Sequence, residues 1–346
     1  MVMRFFRAFA ADFVALVSED SVASLQVALK TEWAFLTYES RPSAEDLAKV
    51  AFMVPRLASG VEYIPPNNRV LQLPMTGYDH LNFSDLPPSW TVAIVHQAGT
   101  PIAEYALLNM LNWNIGQTKQ EETFRRCTWQ TKAPGNSCKM PPRHKELNGQ
   151  TLGIVGYGHI GSAIASRAAA FNMTVCAIDV HPQDPLPPSL SWMGDDSQLP
   201  RLMKESDFVV VAVPLLPSTL GMINSSTLAF MKRTAVLINV ARGAVVDEDS
   251  LYNALKSKEI GGAILDVWWH EWAWRTPGKV GPEGWPAEHD FSVLDNVVMT
   301  PHFSSDSEEA RADALVQVAA NMDHFSRGEP LDYVVRNGSM LAASFI

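Results

Sequence analysis

Residues 151–179, TLGIVGYGHIGSAIASRAAAFNMTVCAID, constrain the fold more than any other stretch of this chain. Leu152 to Val155 form a short apolar run that predicts a buried strand. Gly156, Gly158 and Gly161 follow with the spacing G-x-G-x-x-G. Ile160, Ala163, Ile164, Ala168 and Phe171 then recur at helical spacing, and Thr174 to Ile178 predicts a second strand that ends at Asp179. Each part has a physical task. Gly156 permits a tight turn, Gly158 lets backbone approach a pyrophosphate, and Gly161 lets helix pack closely on strand. The helix start offers unpaired N–H groups and a positive dipole end to phosphates. Asp179 can accept hydrogen bonds from ribose hydroxyls and would repel a 2′-phosphate, while Val180 and His181 bring no Arg or Lys to welcome one. Three glycines alone are a weak signal. With the strand before, the helix after and the terminal acid, they imply a dinucleotide site that favours NAD over NADP.

The rest of the chain supplies two α/β layers. FVALV (Phe13–Val17), AFLTYE (Ala34–Glu39), AFMVP (Ala51–Pro55), RVLQLP (Arg69–Pro74) and TVAIVHQ (Thr91–Gln97) predict short buried strands. Helical patterns lie between them at Ser21–Lys30 and Ser43–Val50, the second with Ser43 as N-cap. Alternating strands and helices imply a parallel sheet covered on both faces. A strongly apolar helix starts near Pro101, and Gln117–Gln150 predicts a helical start followed by a long loop wrapping a neighbouring element or subunit. After Asp179, strands are expected at Phe208–Val213, Ala235–Val240, Gly262–Val267 and Asn296–Pro301, which makes six parallel strands in the second layer. Helices are expected at Ser225–Met231, Glu248–Lys258 and Ser307–Arg327, the last returning to the first layer. Domain boundaries fall near Gln97 and Ser304, so that residues 1–97 and 304–346 form one domain and 98–303 the other.

Composition narrows the partners. A net charge of −10 argues against nucleic acid and anionic membranes, and no apolar run is long enough to span a bilayer. Cys127, Cys138 and Cys176 lack metal-ligand spacing, and their low number suggests a reducing, cytoplasmic compartment. Arg4 and Arg7 among apolar residues faintly suggest a transit peptide, but Asp12 interrupts early, and the stretch reads as a lead-in to the first strand.

The expected strand ends of the second layer carry charged groups: Arg242 in NVARG, Asp266 and Glu271 in LDVWWHE, and His302 in TPHFS. Singly, each is an ordinary surface or structural residue. At one sheet edge beside a nicotinamide they would complement one another. Reduction of a ketone needs a proton donor as hydride arrives, and histidine titrates near neutrality. A carboxylate beside it favours the imidazolium and fixes the ring tautomer. A guanidinium grips a carboxylate bidentately and polarises the neighbouring carbonyl. Together they are what a 2-keto acid reductase requires.

The motifs GYGHIG, SDFVVVAVPLLPSTLGMIN, MKRTAVLINVARGAVVDEDSLYNAL, GGAILDVWW and NVVMTPH resemble those of the D-isomer-specific 2-hydroxyacid dehydrogenases over roughly Leu71 to Val334. The resemblance implies a flavodoxin-like substrate domain and a Rossmann domain, with a doubly wound parallel sheet binding NAD, around an active-site cleft. It implies Arg242 on the substrate carboxylate and carbonyl, His302 as general acid/base and Glu271 as the carboxylate orienting it. The turn at Thr76-Gly77 falls on the family's backbone cradle for the carboxylate. Cofactor contacts carry over to Thr100, His159, Ile160, Asp179, Val213, Pro214, Thr219, Ala241 and Asp266. A homodimer is implied as well. The chain departs from the pattern at Met75, where Gly or Ser is usual, and at Trp272, where Pro is usual. Trp272–Asp290 is rich in Trp, Gly and Pro and is a candidate lid or specificity loop, with Arg275 a candidate second anion contact. Two rival readings remain on sequence. Formate dehydrogenases of the superfamily carry Gln where Glu271 stands, which argues against that branch. An NAD(H)-sensing dimeric binding protein, like the corepressors on this scaffold, would keep the same three polar residues.

Overall fold

The computed structural model describes residues 12–55, 64–127, 138, 143–271 and 284–338. The N-terminal lead-in, Trp272 and Arg275 lie outside them. The chain divides into two compact units, Met1–Ala98 with Asp306–Ile346, and Gly99–Ser305.

In the first unit β1 (Val14–Val17), α1 (Glu19–Ala28), β2 (Ala34–Thr37), α2 (Ala44–Leu47), β3 (Val50–Met53), β4 (Val70–Gln72) and β5 (Thr91–Ala93) follow in order. Successive side chains go to opposite faces, except where the β1–β3 register shifts between Val50 and Phe52, and both faces are buried. Ala15, Val17, Phe52 and Val70 pack on one side, and Leu16, Val50, Met53 and Leu71 on the other. That explains why these strands read as unbroken apolar runs. The Ser43 hydroxyl accepts the Asp46 N–H and caps α2.

In the second unit come α3 (Gly99–Ile115), α4 (Gln117–Arg126), β6 (Thr151–Val155), α5 (His159–Ala170), β7 (Thr174–Ile178), β8 (Trp192–Gly194), α6 (Leu199–Glu205), β9 (Phe208–Val211), α7 (Ser225–Leu228), β10 (Val236–Asn239), α8 (Glu248–Lys256), β11 (Gly262–Leu265) and β12 (Val297–Met299). Among the described residues they form a parallel sheet of seven strands in the order β12-β11-β10-β9-β6-β7-β8. Six were expected. The seventh, β8, has only three residues, all half-buried, so it carries no apolar run to detect. α6 was likewise not expected. It is short, opens with Pro200 in its first turn, and buries Leu199, Leu202 and Met203.

The last elements, α9 (Glu308–Arg327) and β13 (Val334–Arg336), return to the first unit. Its sheet runs β13-β5-β4-β3-β1-β2, and β13 pairs antiparallel with β5, a departure from the all-parallel expectation. α9 buries Ala314, Val318, Ala319 and Met322 against β1 and β3, and Asp323 accepts the backbone N–H groups of Lys30 and Thr31.

Cys176 is a buried core thiol, and burial pushes its pKa up to about 12. Cys127 and Cys138 form a disulfide, so the reducing-compartment inference drawn from the cysteine count receives no support from this pair. Their spacing in an irregular segment gave no sign of it. Among the described residues no helix is long and apolar enough to cross a membrane.

Candidate active site

The sheet of the second unit reverses its strand order between β6 and β9. Loops leaving the carboxyl ends of these two neighbours diverge and open a crevice, the usual ligand position in such sheets. Gly156 turns the chain there with φ +97°, a left-handed conformation that L side chains rarely adopt. A Cβ on Gly156 would also lie 2.8 Å from the Ala212 carbonyl oxygen beyond β9. One on Gly161 would lie 2.1 Å from the Gly156 carbonyl oxygen, so α5 closes directly on the turn. Above Gly158 there is nothing within 4 Å. The open space therefore faces the residue that precedes α5, whose first N–H groups have no intrahelical partner.

Asp179 closes the same site at the end of β7. Its carboxylate accepts the Tyr157 N–H at 2.8 Å and the His181 N–H at 3.0 Å. Thr100, in the first turn of α3, receives a hydrogen bond from Arg167 of α5, while Gly99 packs against the His159 ring. Beyond β9 the Thr219 hydroxyl donates to the Pro214 carbonyl at 2.7 Å and accepts the Leu216 N–H at 2.8 Å, closing the Val213–Thr219 loop. His159 and Gly158 are exposed and Ile160 and Val213 half-buried. A glycine turn with clear space, a helix start and an anchored acid fit a dinucleotide.

The charged strand ends are brought onto one edge. Arg242 follows β10, where the fully buried Asn239 shapes the turn: its amide donates to the Arg242 carbonyl and its oxygen accepts the Ala241 N–H. The Arg242 guanidinium donates to the Ala241 carbonyl at 2.7 Å. Glu271 meets His302 directly, Oε2 to Nδ1 at 2.7 Å, with the carboxylate side chain only 11% exposed. Its second oxygen accepts the Trp268 backbone N–H at 2.5 Å. This arrangement leaves Nε2 as the imidazole atom that can exchange a proton with a ligand.

His302 has φ +54°, which for a side-chain-bearing residue costs about 1–2 kcal/mol. The ties around it hold that conformation. Asp266, fully buried, accepts the Phe303 N–H at 3.1 Å, the Ser304 N–H at 3.0 Å and the Thr300 hydroxyl at 2.6 Å. Tyr105 of α3 touches the Thr300 hydroxyl at 2.7 Å. Burial, with the nearby Asp266 charge adding to it, pushes the Tyr105 phenol up to about 12.

Thr76 and Gly77 belong to the first unit, in the turn after β4. The Thr76 hydroxyl donates to the Val95 carbonyl at 2.9 Å, tying the turn to the strand end beside it. Met75 and Tyr78 pack against that unit's core. Among the described residues no group of three His, Cys, Asp or Glu side chains could hold a metal. Sequence reasoning missed Asn239, Trp268, Thr300 and Tyr105. Only Asn239 left a signal, a polar residue inside the apolar run AVLINV.

The fold and the glycine turn define a dinucleotide-binding α/β protein with a paired acid and imidazole at its sheet edge. Residues 107–304 match the model of the D-isomer specific 2-hydroxyacid dehydrogenase NAD binding domain. A glyoxylate reductase of Pyrococcus furiosus is 35% identical over 288 residues, covering 82% of this chain and 80% of the relative. Among solved structures, a D-isomer specific 2-hydroxyacid dehydrogenase from Xanthobacter autotrophicus, in complex with NADPH and MES, superposes with TM-score 0.75 at 25% identity over 94% of this chain and 98% of its own. The D-lactate dehydrogenase of Aquifex aeolicus, complexed with NAD and lactic acid, does so with TM-score 0.70 at 25% identity over 91% and 96%. The chain belongs to the D-isomer specific 2-hydroxyacid dehydrogenase family and is an oxidoreductase of the NAD(P)-dependent, 2-hydroxyacid class.

Proposed function

We propose that this enzyme interconverts a small D-2-hydroxy acid and its 2-keto acid with NAD(H). The observation that carries the reading is the Glu271–His302 pair at 2.7 Å, on the sheet edge that also carries Arg242 and the glycine turn. The unit 99–305 holds the dinucleotide, with Thr100, Gly156, Gly158, His159, Ile160, Gly161, Asp179, Val213, Pro214, Thr219, Ala241 and Asp266 around it. The amides at Thr76 and Gly77 are assigned to the substrate carboxylate. NAD(H), when bound, supplies or accepts the hydride at substrate C2. Arg242 grips the carboxylate and polarises the carbonyl. In reduction His302 gives its Nε2 proton to the substrate oxygen, and Glu271 orients the ring through Nδ1. In oxidation Nε2 takes the hydroxyl proton.

NAD rather than NADP is supported by Asp179, whose two oxygens are already engaged by backbone N–H groups and whose charge opposes a 2′-phosphate. A homodimer is supported by Leu108 and Ile115 of α3, which are 64% and 41% exposed and would be covered by a second copy. A cytoplasmic location belongs to the same reading. The Cys127–Cys138 disulfide runs against it, and thiol labelling before lysis measures whether the pair is reduced in cells.

The test is oxidation of NADH, and separately of NADPH, against 2-keto acids of graded size. Turnover of a preferred acid with NADH, abolished in His302→Ala, is expected. Tight NADH binding with silence across the panel would overturn the reading in favour of a sensor.

A further inference from the structure

We propose that Trp268 is a positioning residue for the Glu271–His302 pair, holding both partners at once; this rests on the proton-transfer role given to His302 above. Its backbone N–H donates to Glu271 Oε1 at 2.5 Å, while its indole Nε1–H donates to the Thr300 carbonyl at 2.9 Å, two residues before His302. The residue is thus a strut between the carboxylate and the loop that carries the imidazole. The same backbone meets the arginine turn. A Cβ on Gly243, the neighbour of Arg242, would lie 2.3 Å from the Trp268 carbonyl carbon and 2.6 Å from the Trp269 nitrogen. Three strand-end loops, after β10, β11 and β12, therefore cross at one peptide.

The need for such a strut follows from the backbone. His302 sits at φ +54°, outside the conformations a histidine prefers, so its loop must be held from both sides. On the far side Asp266 accepts the Phe303 and Ser304 N–H groups. On the near side the Thr300 N–H donates to the Leu265 carbonyl at 2.9 Å, the Trp268 indole donates to the Thr300 carbonyl, and the Thr300 side chain is fixed by Asp266 and Tyr105. The indole is itself held by rings: Trp268 is 8% exposed and packs edge-on to Phe291 and Trp269. Phe would fill most of that volume and keep the edge-on ring contacts. An apolar ring would not reach the Thr300 carbonyl with a proton.

Trp268→Phe keeps an aromatic ring and deletes the indole donor with part of the ring volume, and melting of the variant measures the cost of that lost volume separately. The expected result is kcat lowered by about ten-fold with KM and the NADH dissociation constant held within about two-fold, since loss of alignment at the reacting centre acts on turnover rather than binding. Thr300→Val removes the hydroxyl of the neighbouring tie and should act in the same direction, with Thr300→Ser restoring the wild-type rate. A second readout does not depend on turnover. Protein labelled with 15N-histidine should show an exchange-protected Nδ1–H proton, assigned by its absence in His302→Gln and broadened or lost in Trp268→Phe. Wild-type kcat in Trp268→Phe, or an unchanged Nδ1–H signal there, would overturn the proposal, as would absence of that signal from the wild type. A protein that reduces no 2-keto acid defeats the reading of the activity instead, and the proton signal then decides the strut alone.

Discussion

Replacing Glu271 by Gln changes one atom and separates the orienting role of this carboxylate from its bulk. Both oxygens of Glu271 are engaged, Oε1 by the Trp268 N–H and Oε2 by His302 Nδ1. A glutamine has one acceptor to offer. If its oxygen keeps the Trp268 N–H, its NH2 faces Nδ1, which must then accept, and the proton moves to Nε2. A ring in that state cannot receive the hydroxyl proton during oxidation. Reduction needs the doubly protonated ring, in which two donors would face each other. The side chain is only 11% exposed, so water replaces little of the lost interaction. A hydrogen bond to a charged group contributes about 1.5–3 kcal/mol, which corresponds to a loss of about 10- to 150-fold in kcat. KM for the acid and the dissociation constant of NADH should move less than about three-fold, because Arg242 and the glycine turn are untouched. Steady-state rates in both directions, with NADH affinity from fluorescence titration, measure this. Wild-type kcat in both directions would falsify the assignment of Glu271.

Two glycines of the turn make a contrasting pair. Gly161→Ala places a methyl 2.1 Å from a backbone oxygen, and overpacking should cost about 1–3 kcal/mol and weaken NADH binding, read by melting and titration. Gly158→Ala meets no protein atom within 4 Å, so it should melt like the wild type and yet bind NADH more weakly, because its methyl enters the space left for phosphate. Asp247 caps α8 by accepting the Ser250 N–H and hydroxyl, and Asp247→Ala should cost about 0.5–2 kcal/mol at neutral pH. The Ser250 hydrogen bonds hold the Asp247 carboxyl below its ordinary value of 3.8, so its stabilisation is present above that pH and lost as pH falls through the lowered value. Melting of the variant and the wild type should therefore differ at pH 7 and converge in strong acid.

How much of this was legible depends on what a residue does for its own segment. Gly156, Gly161 and Asp179 act within one strand–turn–helix–strand unit, and their spacing along the chain is their geometry. The long strands declared themselves for a similar reason: both faces are buried, so their apolar runs are unbroken. β8 failed because three half-buried residues carry no period. Trp268, Thr300 and Tyr105 were hidden for a different reason. Each is ordinary within its own element, an aromatic after a strand, a threonine at a strand end, a tyrosine on an apolar helix. Their hydrogen bonds run between elements, Tyr105 to Thr300 across 195 positions and Trp268 to Thr300 across 32. Periodicity reports which face of an element is buried and says nothing about which donor on one element meets which acceptor on another. Arg242, Glu271 and His302 were reachable because charge at a strand end is conspicuous. The groups that fix their geometry carry no charge, except Asp266, and Asp266 is fully buried, where an aspartate must be hydrogen-bonded to be tolerated. Its three donors, on Thr300, Phe303 and Ser304, all flank His302, so the buried acid marks the loop that most needs holding.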